Sequence, residues 1–256
     1  MAQYENRFIQ SGAIGRADAG VDAGLRSYML GVYNYMAGGV ALTGVVAYLI
    51  NQAAVSNVPT QYPMGRRFLT EFGHTLYGTP LMWVVALAPL AFVFFLSFRA
   101  YKMSVGAAQL SFWLFAAVMG ASMSTLLLRY TGQSVAQVFF ITATSFGALS
   151  LWGYTTKKDI SGWGSFLIMG VVGLILAGLV NIFMQSSAVS FAISAIGLFL
   201  FAGLTAYDTQ NIKDNYYAVS HDAGVMAKSA IMGALNLYLD FINMFQSLLS
   251  LIGDRD

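Results

Sequence analysis

The sequence contains no cysteine and very little charge. Cysteine is absent from all 256 residues, so neither a disulfide framework nor a thiolate metal or redox site can form. Asp, Glu, Lys and Arg together make up 9% of the chain, whereas a soluble domain contains about 25%. So few charges cannot coat a globular surface in water, which excludes a cytosolic enzyme, a nucleic-acid-binding protein and a disordered chain.

Apolar residues are what the sequence has in abundance. The hydrophobic residues make up 57% of the chain, and that fraction does not include its 26 glycines. Most of the surface must therefore face lipid or other parts of the same chain, which makes the lipid bilayer the first predicted partner. The formal net charge of +2 gives no reason to expect a polyanionic partner such as nucleic acid.

Seven segments are long and apolar enough to cross a bilayer as helices. Runs of about 18–25 largely apolar residues span a hydrocarbon core of roughly 30 Å. The runs do not alternate apolar and polar residues, which excludes a transmembrane β-barrel. The predicted spans are Met29–Ile50, Leu81–Phe98, Gly106–Leu128, Val135–Tyr154, Trp163–Met184, Ala188–Tyr207 and Ser229–Gly253.

These spans predict the fold class and the domain organisation. We expect an all-α polytopic membrane protein, a bundle of seven transmembrane helices in which residues 29–253 form one domain. Residues 1–28 contain several charges and no compact apolar run. We therefore predict that they form a cytoplasmic N-terminal segment and not a cleavable signal peptide.

The distribution of basic residues predicts the orientation. If all seven segments cross, nine of the 13 lysines and arginines fall on the side of the N-terminus. Because basic loops stay in the cytoplasm, the N-terminus is predicted to be cytoplasmic and the C-terminus outside. This prediction depends on the last segment crossing completely.

The last span has one narrow polar face. Its small and polar residues recur at alternating steps of four and three, which places them on one side of a helix. They are Ser229, Gly233, Asn236, Asp240, Asn243, Ser247 and Ser250. Asp240 is the only charged residue within the predicted spans, and a carboxylate at that depth costs about 2.5–3.5 kcal/mol on insertion scales. The pattern favours an ion or proton site over a protonated aspartic acid that makes one interhelical hydrogen bond.

The sixth span offers a partner for Asp240. It carries Ser190, Ser194, Gly197, Thr205 and Asp208 along one side, and Asp208 is the first residue after the predicted span, at its cytoplasmic end. Alone, Asp208 could equally be a hydrated helix-end residue paired with Lys213. Two carboxylates within hydrogen-bond reach in a low-dielectric site tend to share one proton and titrate as a unit. Such a pair predicts a latch that holds two helices together when singly protonated.

The same pair of carboxyl groups also predicts which ion can bind at the site or pass through it. When both carboxylates ionise they repel each other and offer oxygen ligands to a hard cation such as calcium, bound transiently at Asp208 and Asp240. Thr205, Asn236 and Asn243 are predicted supporting residues. Arg99, at the cytoplasmic end of the second span, is the best-placed positive group, although a topology-setting arginine at the membrane interface is the stronger interpretation.

At these residues the sequence resembles the Bax inhibitor-1 family, also called the transmembrane Bax-inhibitor-motif family, which includes bacterial members. The resemblance rests on Ala206-Tyr207-Asp208-Thr209-Gln210-Asn211-Ile212-Lys213 and on Leu237-Tyr238-Leu239-Asp240-Phe241-Ile242-Asn243, which are similar to the family's two acidic motifs. The turn Lys157-Lys158-Asp159 is similar to the family as well. The resemblance extends from about Ser27 to the C-terminus.

The resemblance implies a fold and a function. It implies seven helices with the last one central, and a pH-sensitive calcium leak in which Asp208 and Asp240 are the sensing pair. It implies a bacterial cytoplasmic (inner) membrane location, and a link of some members to a membrane-bound ATP-dependent protease. It also implies an arginine of the second span beside the pair, and Arg99 lies near that position. The long connection 51–80 departs from compact bacterial members.

Three functions follow as hypotheses. The first is a non-enzymatic, pH-sensitive cation leak that needs no cofactor, with calcium as the favoured permeant ion. The second is a non-transporting regulator that binds a membrane-bound ATP-dependent protease or another partner. The third, an intramembrane aspartyl protease, is disfavoured because Leu239 stands where the second motif of those enzymes has glycine before the aspartate.

Overall fold

The structure, a computed structural model, describes residues 2–64, 67–99 and 102–255, with side chains described from residue 23 onward. The helices in these ranges are α1 (Ala2–Ala54), α2 (Glu71–Tyr77), α3 (Leu81–Arg99), α4 (Val105–Met123), α5 (Leu126–Arg129), α6 (Gly132–Thr155), α7 (Trp163–Met184), α8 (Ser187–Val219) and α9 (Ala223–Ile252). Three short strands, β1 (Val55–Ser56), β2 (Pro63–Met64) and β3 (Arg67–Leu69), lie between α1 and α2.

The predicted all-α membrane bundle is confirmed. Within the described ranges seven helical segments are long and apolar enough to cross a membrane. Six of them contain a predicted span each, and the seventh contains all of its predicted span except the last residue, Gly253. The third segment, Val105–Arg129, consists of α4 and α5. Helix α1 runs from Ala2 to Ala54 without a break. The predicted N-terminal segment and the first span therefore belong to one continuous helix. Arg66 and the side chains of Arg7 and Arg16, which enter the prediction of orientation, lie outside the described residues.

Two helices extend well beyond the predicted spans. Helix α8 continues past Tyr207 to Val219, and α9 begins at Ala223, before Ser229. The extra turns of α8 are amphipathic: Ile212 and Tyr216 are buried in the bundle, while Asp214 between them is exposed. Hydropathy falls there although the helix continues. Asp208 consequently lies inside a long helix, and the alternative that placed it at a helix end is wrong.

Helix α9 is the centre of the bundle. The buried fraction is 61% in its most apolar stretch and at most 33% in the other six spans. Helices α1, α4, α6 and α8 pack around it, and Leu237 and Tyr238 are completely buried. The Tyr238 hydroxyl lies 2.6 Å from Thr43 Oγ1, so this buried hydroxyl has a hydrogen-bond partner. A helix surrounded by protein can carry polar groups that lipid would exclude.

The described residues of the connection 51–80 form a cap on one end of the bundle. Its strands form an antiparallel sheet in the order β1-β3-β2. The Thr70 side chain accepts a hydrogen bond from Gly73 N and so caps α2, as is typical of threonine at this position. The Tyr77 hydroxyl lies 2.7 Å from Ser124 Oγ, and Arg67 donates to the Leu127 carbonyl at 3.0 Å. These bonds fix the cap on the α4–α5 segment.

Helices α6 and α8 approach each other closely at Gly153. A Cβ atom on Gly153 would lie 2.4 Å from the Ala206 carbonyl oxygen, so only glycine fits at this crossing. Gly147, on the same helix, has open space around its Cβ position. The backbone of α8 is thereby held against α6 immediately before Asp208.

We predict that Gly153→Ala destabilises the protein. The added methyl group meets a backbone carbonyl, and such overpacking costs about 1–3 kcal/mol. Gly147→Ala is the matched control, since it gains helix propensity of about 1 kcal/mol without a clash. Thermal unfolding of the purified protein in a mild detergent checks both. A melting temperature of the Gly153 variant at or above that of the wild type would contradict the packing.

Candidate functional site

The polar face of α9 packs against α8 along most of its length. The two helices are antiparallel, and their small and polar residues meet in order. Ser250 Oγ accepts a hydrogen bond from Ser194 Oγ at 2.9 Å, and Ser229 Oγ accepts one from Asn215 Nδ2 at 2.8 Å. Between them, a Cβ on Gly233 would lie 3.0 Å from the Ile212 side chain. Small residues let the two backbones approach closely, as in other membrane helix pairs.

The two predicted acidic residues meet in the middle of this interface. The carboxyl groups of Asp208 and Asp240 lie within side-chain interaction distance of each other. Asp240 is 4% exposed, and its Oδ2 atom is buried without a hydrogen-bond partner in the described part of the chain. Asp208 is half-buried. The pair is therefore a largely desolvated carboxyl pair with unused hydrogen-bonding capacity.

Both carboxyl groups line one cavity of about 580 Å³. Its walls come from α3, α4, α7, α8 and α9, and most of the lining residues are apolar. The polar residues beside the pair are Ser122, Asn236, Asn243 and Gln246. In the described lining no lysine or arginine is present. A negative charge at this pair therefore faces no basic side chain within the described cavity lining.

The predicted supporting residues divide into two groups. Asn236 and Asn243 line the cavity with the acidic pair; Asn236 is exposed at its mouth, and Asn243 Nδ2 donates to the Leu239 carbonyl at 2.8 Å. Thr205 does not line the cavity. It is fully buried, and its hydroxyl donates to the Phe201 carbonyl of its own helix at 2.8 Å, a common way for threonine to satisfy its hydroxyl in a helix.

Arg99 is not brought to the acidic pair. It is the exposed last residue of α3 and is not part of the cavity lining. Val93 is the last residue of α3 that lines the cavity, and Arg99 lies about 9 Å further along the helix axis at 1.5 Å per residue. Its place at a helix end fits the alternative interpretation, an arginine at the membrane interface.

The residues after Asp208 hold α8 in place through contacts that sequence reasoning missed. Gln210 accepts from Ile160 N and donates to the Lys158 carbonyl, both at 2.9 Å. Lys213 Nζ donates to the Tyr154 carbonyl at 2.9 Å. The α6–α7 turn is thus anchored to α8. The polar residues that follow Asp208 in its motif were the available signal, but their partners are distant in sequence.

A chain of hydroxyl groups attaches α8 to α6 and α1 behind Asp208. Thr209 Oγ1 lies 2.8 Å from Ser150 Oγ, and Ser150 Oγ lies 2.7 Å from the Tyr33 hydroxyl. Thr209 Oγ1 also donates to the Thr205 carbonyl at 2.7 Å. Because Thr209 is fixed on the face of α8 that contacts α6, its neighbour Asp208 is directed towards α9.

Two carboxylates outside the membrane-spanning segments stabilise turns near this network. Hydrogen bonds from the Ser161 side chain and backbone N–H lower the pKa of Asp159 in the α6–α7 turn. Backbone N–H groups of Val225 and Gly224 lower the pKa of Asp222, the N-cap of α9. Both groups are therefore ionised at neutral pH, and the negative charge of Asp222 suits the N-terminus of α9.

The site contains few ligands for a metal ion. Among the described residues there is no group of three or more His, Asp or Glu side chains that could hold one. The described cavity lining offers oxygen ligands from the carboxyl groups of the pair and from four other side chains, Ser122, Asn236, Asn243 and Gln246. Calcium takes six to eight oxygen ligands, so water would complete the coordination of an ion at this pair.

Comparison with known proteins identifies the family. The family model described as "Inhibitor of apoptosis-promoting Bax1" matches residues 25–256. A protein of Caulobacter vibrioides is 46% identical over 253 residues, which cover 99% of this chain and 98% of that protein. Protein RP147 of Rickettsia prowazekii is 45% identical over 91% of this chain and 92% of its own length.

The name of a third relative states its cellular location. The inner membrane protein YbhL of Escherichia coli is 41% identical over 237 residues, covering 91% of this chain and 94% of that protein. The family-model match includes both acidic motifs and all seven predicted spans, because it begins at residue 25, before Met29, and runs to the last residue. The chain is an integral membrane protein that belongs to the Bax inhibitor-1 family.

Proposed function

We propose that the protein is a pH-sensitive cation leak, with calcium as the favoured ion, in which the Asp208–Asp240 pair is the latch. The supporting observation is that these two carboxyl groups face each other in the cavity, with Asp240 Oδ2 buried and unpartnered within the described chain. The chemistry is non-enzymatic and needs no cofactor. The site of action is the cytoplasmic (inner) membrane.

The latch depends on a shared proton. With one proton between them, the two carboxyl groups form a strong charge-assisted hydrogen bond that joins α8 to α9. Removal of that proton leaves two like charges in a low-dielectric site, where their repulsion is large. The described cavity lining contains no basic side chain to relieve it. The charges are relieved by separation of the helices or by entry of a cation.

The contacts on either side of the pair indicate where the barrier lies. Towards the C-terminal end of α9 the cavity continues past Asn243 to Gln246. Towards the α8–α9 turn, Ile212 packs on Gly233. Beyond that contact, Ser229 is bonded to Asn215 and lies 3.1 Å from the Tyr28 hydroxyl. The closed part of the path is therefore the segment of the α8–α9 interface that deprotonation of the pair would loosen.

We predict that Asp240→Asn and Asp208→Asn remove the pH response of calcium flux into proteoliposomes. Wild-type flux should rise from pH 6 to pH 8, by at most about tenfold per pH unit for control by one proton. An asparagine cannot ionise, so each variant should stay latched, with low flux that changes less than about twofold over the same range. Asp214→Asn, an exposed aspartate on the same helix, is the matched control and should behave as the wild type.

Wild-type flux and pH response in both pair variants would contradict the leak. That result would favour the non-transporting alternative, a regulator of a membrane-bound ATP-dependent protease, which co-purification from mild detergent tests directly.

We also propose that the N-terminus is cytoplasmic and the C-terminus outside. The excess of Lys and Arg on the N-terminal side supports this orientation. Because the chain has no cysteine, single cysteines at Ala2 and at Asp254 provide a clean measurement. An impermeant thiol reagent added to intact spheroplasts should label the Asp254→Cys variant and leave the Ala2→Cys variant unlabelled until the cells are lysed. The reverse labelling pattern, or labelling of both ends, would overturn it.

A further inference from the structure

The cavity that contains the acidic pair opens sideways into the bilayer. Its mouth lies between α3 and α7, whose extensive packing is with α4 and with α8 respectively. Leu90 on α3 and Ile168, Val172 and Ile175 on α7 line the cavity, and each is more than half exposed. Since both helices are membrane-spanning segments, this apolar mouth faces hydrocarbon and not water.

The interior of the cavity differs sharply from its mouth. The side chains of Asp208 and Asp240 stand at its inner wall, and Asp240 Oδ2 is a buried acceptor without a partner among the described residues. A singly protonated pair carries one negative charge, and no basic side chain of the described lining neutralises it. A ligand that brings a positive charge and a hydrogen-bond donor to the half-buried Asp208 carboxyl group neutralises the pair.

The size and the composition of the cavity indicate which kind of ligand fits it. A volume of about 580 Å³ lies within the range of about 300–1,000 Å³ that is common for small-molecule sites. Such sites combine apolar walls with a few convergent polar groups, as this cavity does with its acidic pair and Asn236. The matching ligand has an apolar chain for the walls and a protonated nitrogen for the carboxyl groups.

We propose that this cavity is a binding site for lipophilic amines, which enter from the bilayer between α3 and α7 and donate an N–H group to the Asp208–Asp240 pair. A primary, secondary or tertiary ammonium has such a donor and a quaternary ammonium does not. The site is therefore expected to distinguish cations of equal charge and equal apolar chain by whether they carry an N–H donor. Binding does not require any ion flux, so this inference stands or fails separately from the leak.

The experiment is equilibrium binding of labelled dodecylamine to the purified full-length protein in a neutral detergent. One saturable site per chain is expected. Dodecyltrimethylammonium, which has the charge without the N–H donor, and dodecanol, which has a donor without the charge, should each bind about tenfold more weakly or worse, because hydrogen bonds to charged groups are the strong ones. Equal affinity for dodecylamine and its quaternary analogue would overturn the proposal.

Variants test the same assignment from the side of the protein. Asp240→Asn and Asp208→Asn should each weaken dodecylamine binding by about tenfold or more, while Asp214→Asn should leave it unchanged. Wild-type affinity in both pair variants would overturn the proposal. Circular dichroism verifies the helix content of each variant, and if neither pair variant folds, the comparison of the two cations on the wild type decides alone.

The two proposals have separate outcomes. Dodecylamine binding with no calcium flux would retain this site and overturn the leak. Flux that responds to pH without selective amine binding would retain the leak and overturn the amine site. With both present, dodecylamine should inhibit flux in the wild type, because it occupies the pair on which the leak depends.

Discussion

Two carboxyl groups face each other inside an apolar helix bundle, and much of the architecture of this protein is arranged around that contact. In water such a contact would have little energetic consequence, since each group would be hydrated and ionised. In the bundle Asp240 has lost nearly all of its solvent, and the described cavity lining supplies no lysine or arginine. A shared proton is the least costly way to keep both groups where the structure places them. The proposed latch is a consequence of this constraint.

The surrounding helices keep the pair together despite that cost. Small residues let α8 and α9 approach along their common face, with Gly233 beneath Ile212 and Ser250 bonded to Ser194. Gly153 brings α6 against α8 at Ala206, and Gln210 bonds α8 to the α6–α7 turn. Asp208 is thus held by contacts on both sides of it in the sequence. Asp240 is held in turn by the packing of α9 against α1, α4 and α6.

The spans and the acidic pair could be predicted from the sequence, whereas helix ends and distant contacts could not. Apolar runs indicate the spans because burial in lipid is a local property of the segment. Regular spacing indicated that Asp240 faces a partner, and the small and polar residues along one side of the sixth span indicated Asp208. The amphipathic end of α8 was missed because hydropathy falls where one face is still buried at Ile212. The Gln210 contacts depend on residues about fifty positions away. Arg99 was named from its place at the end of the second span, which does not give its distance from the pair along α3.

The central claim is that the pair holds a proton at neutral pH, and infrared spectroscopy of the purified protein tests it most directly. A protonated carboxylic acid has a C=O stretching band well separated from the bands of an ionised carboxylate. Such a band is expected at pH 7 in the wild type and in Asp214→Asn, and its loss is expected in the double variant Asp208→Asn/Asp240→Asn, which has no carboxyl group at the site. Absence of the band from the wild type at pH 7, or its persistence in the double variant, would contradict this claim.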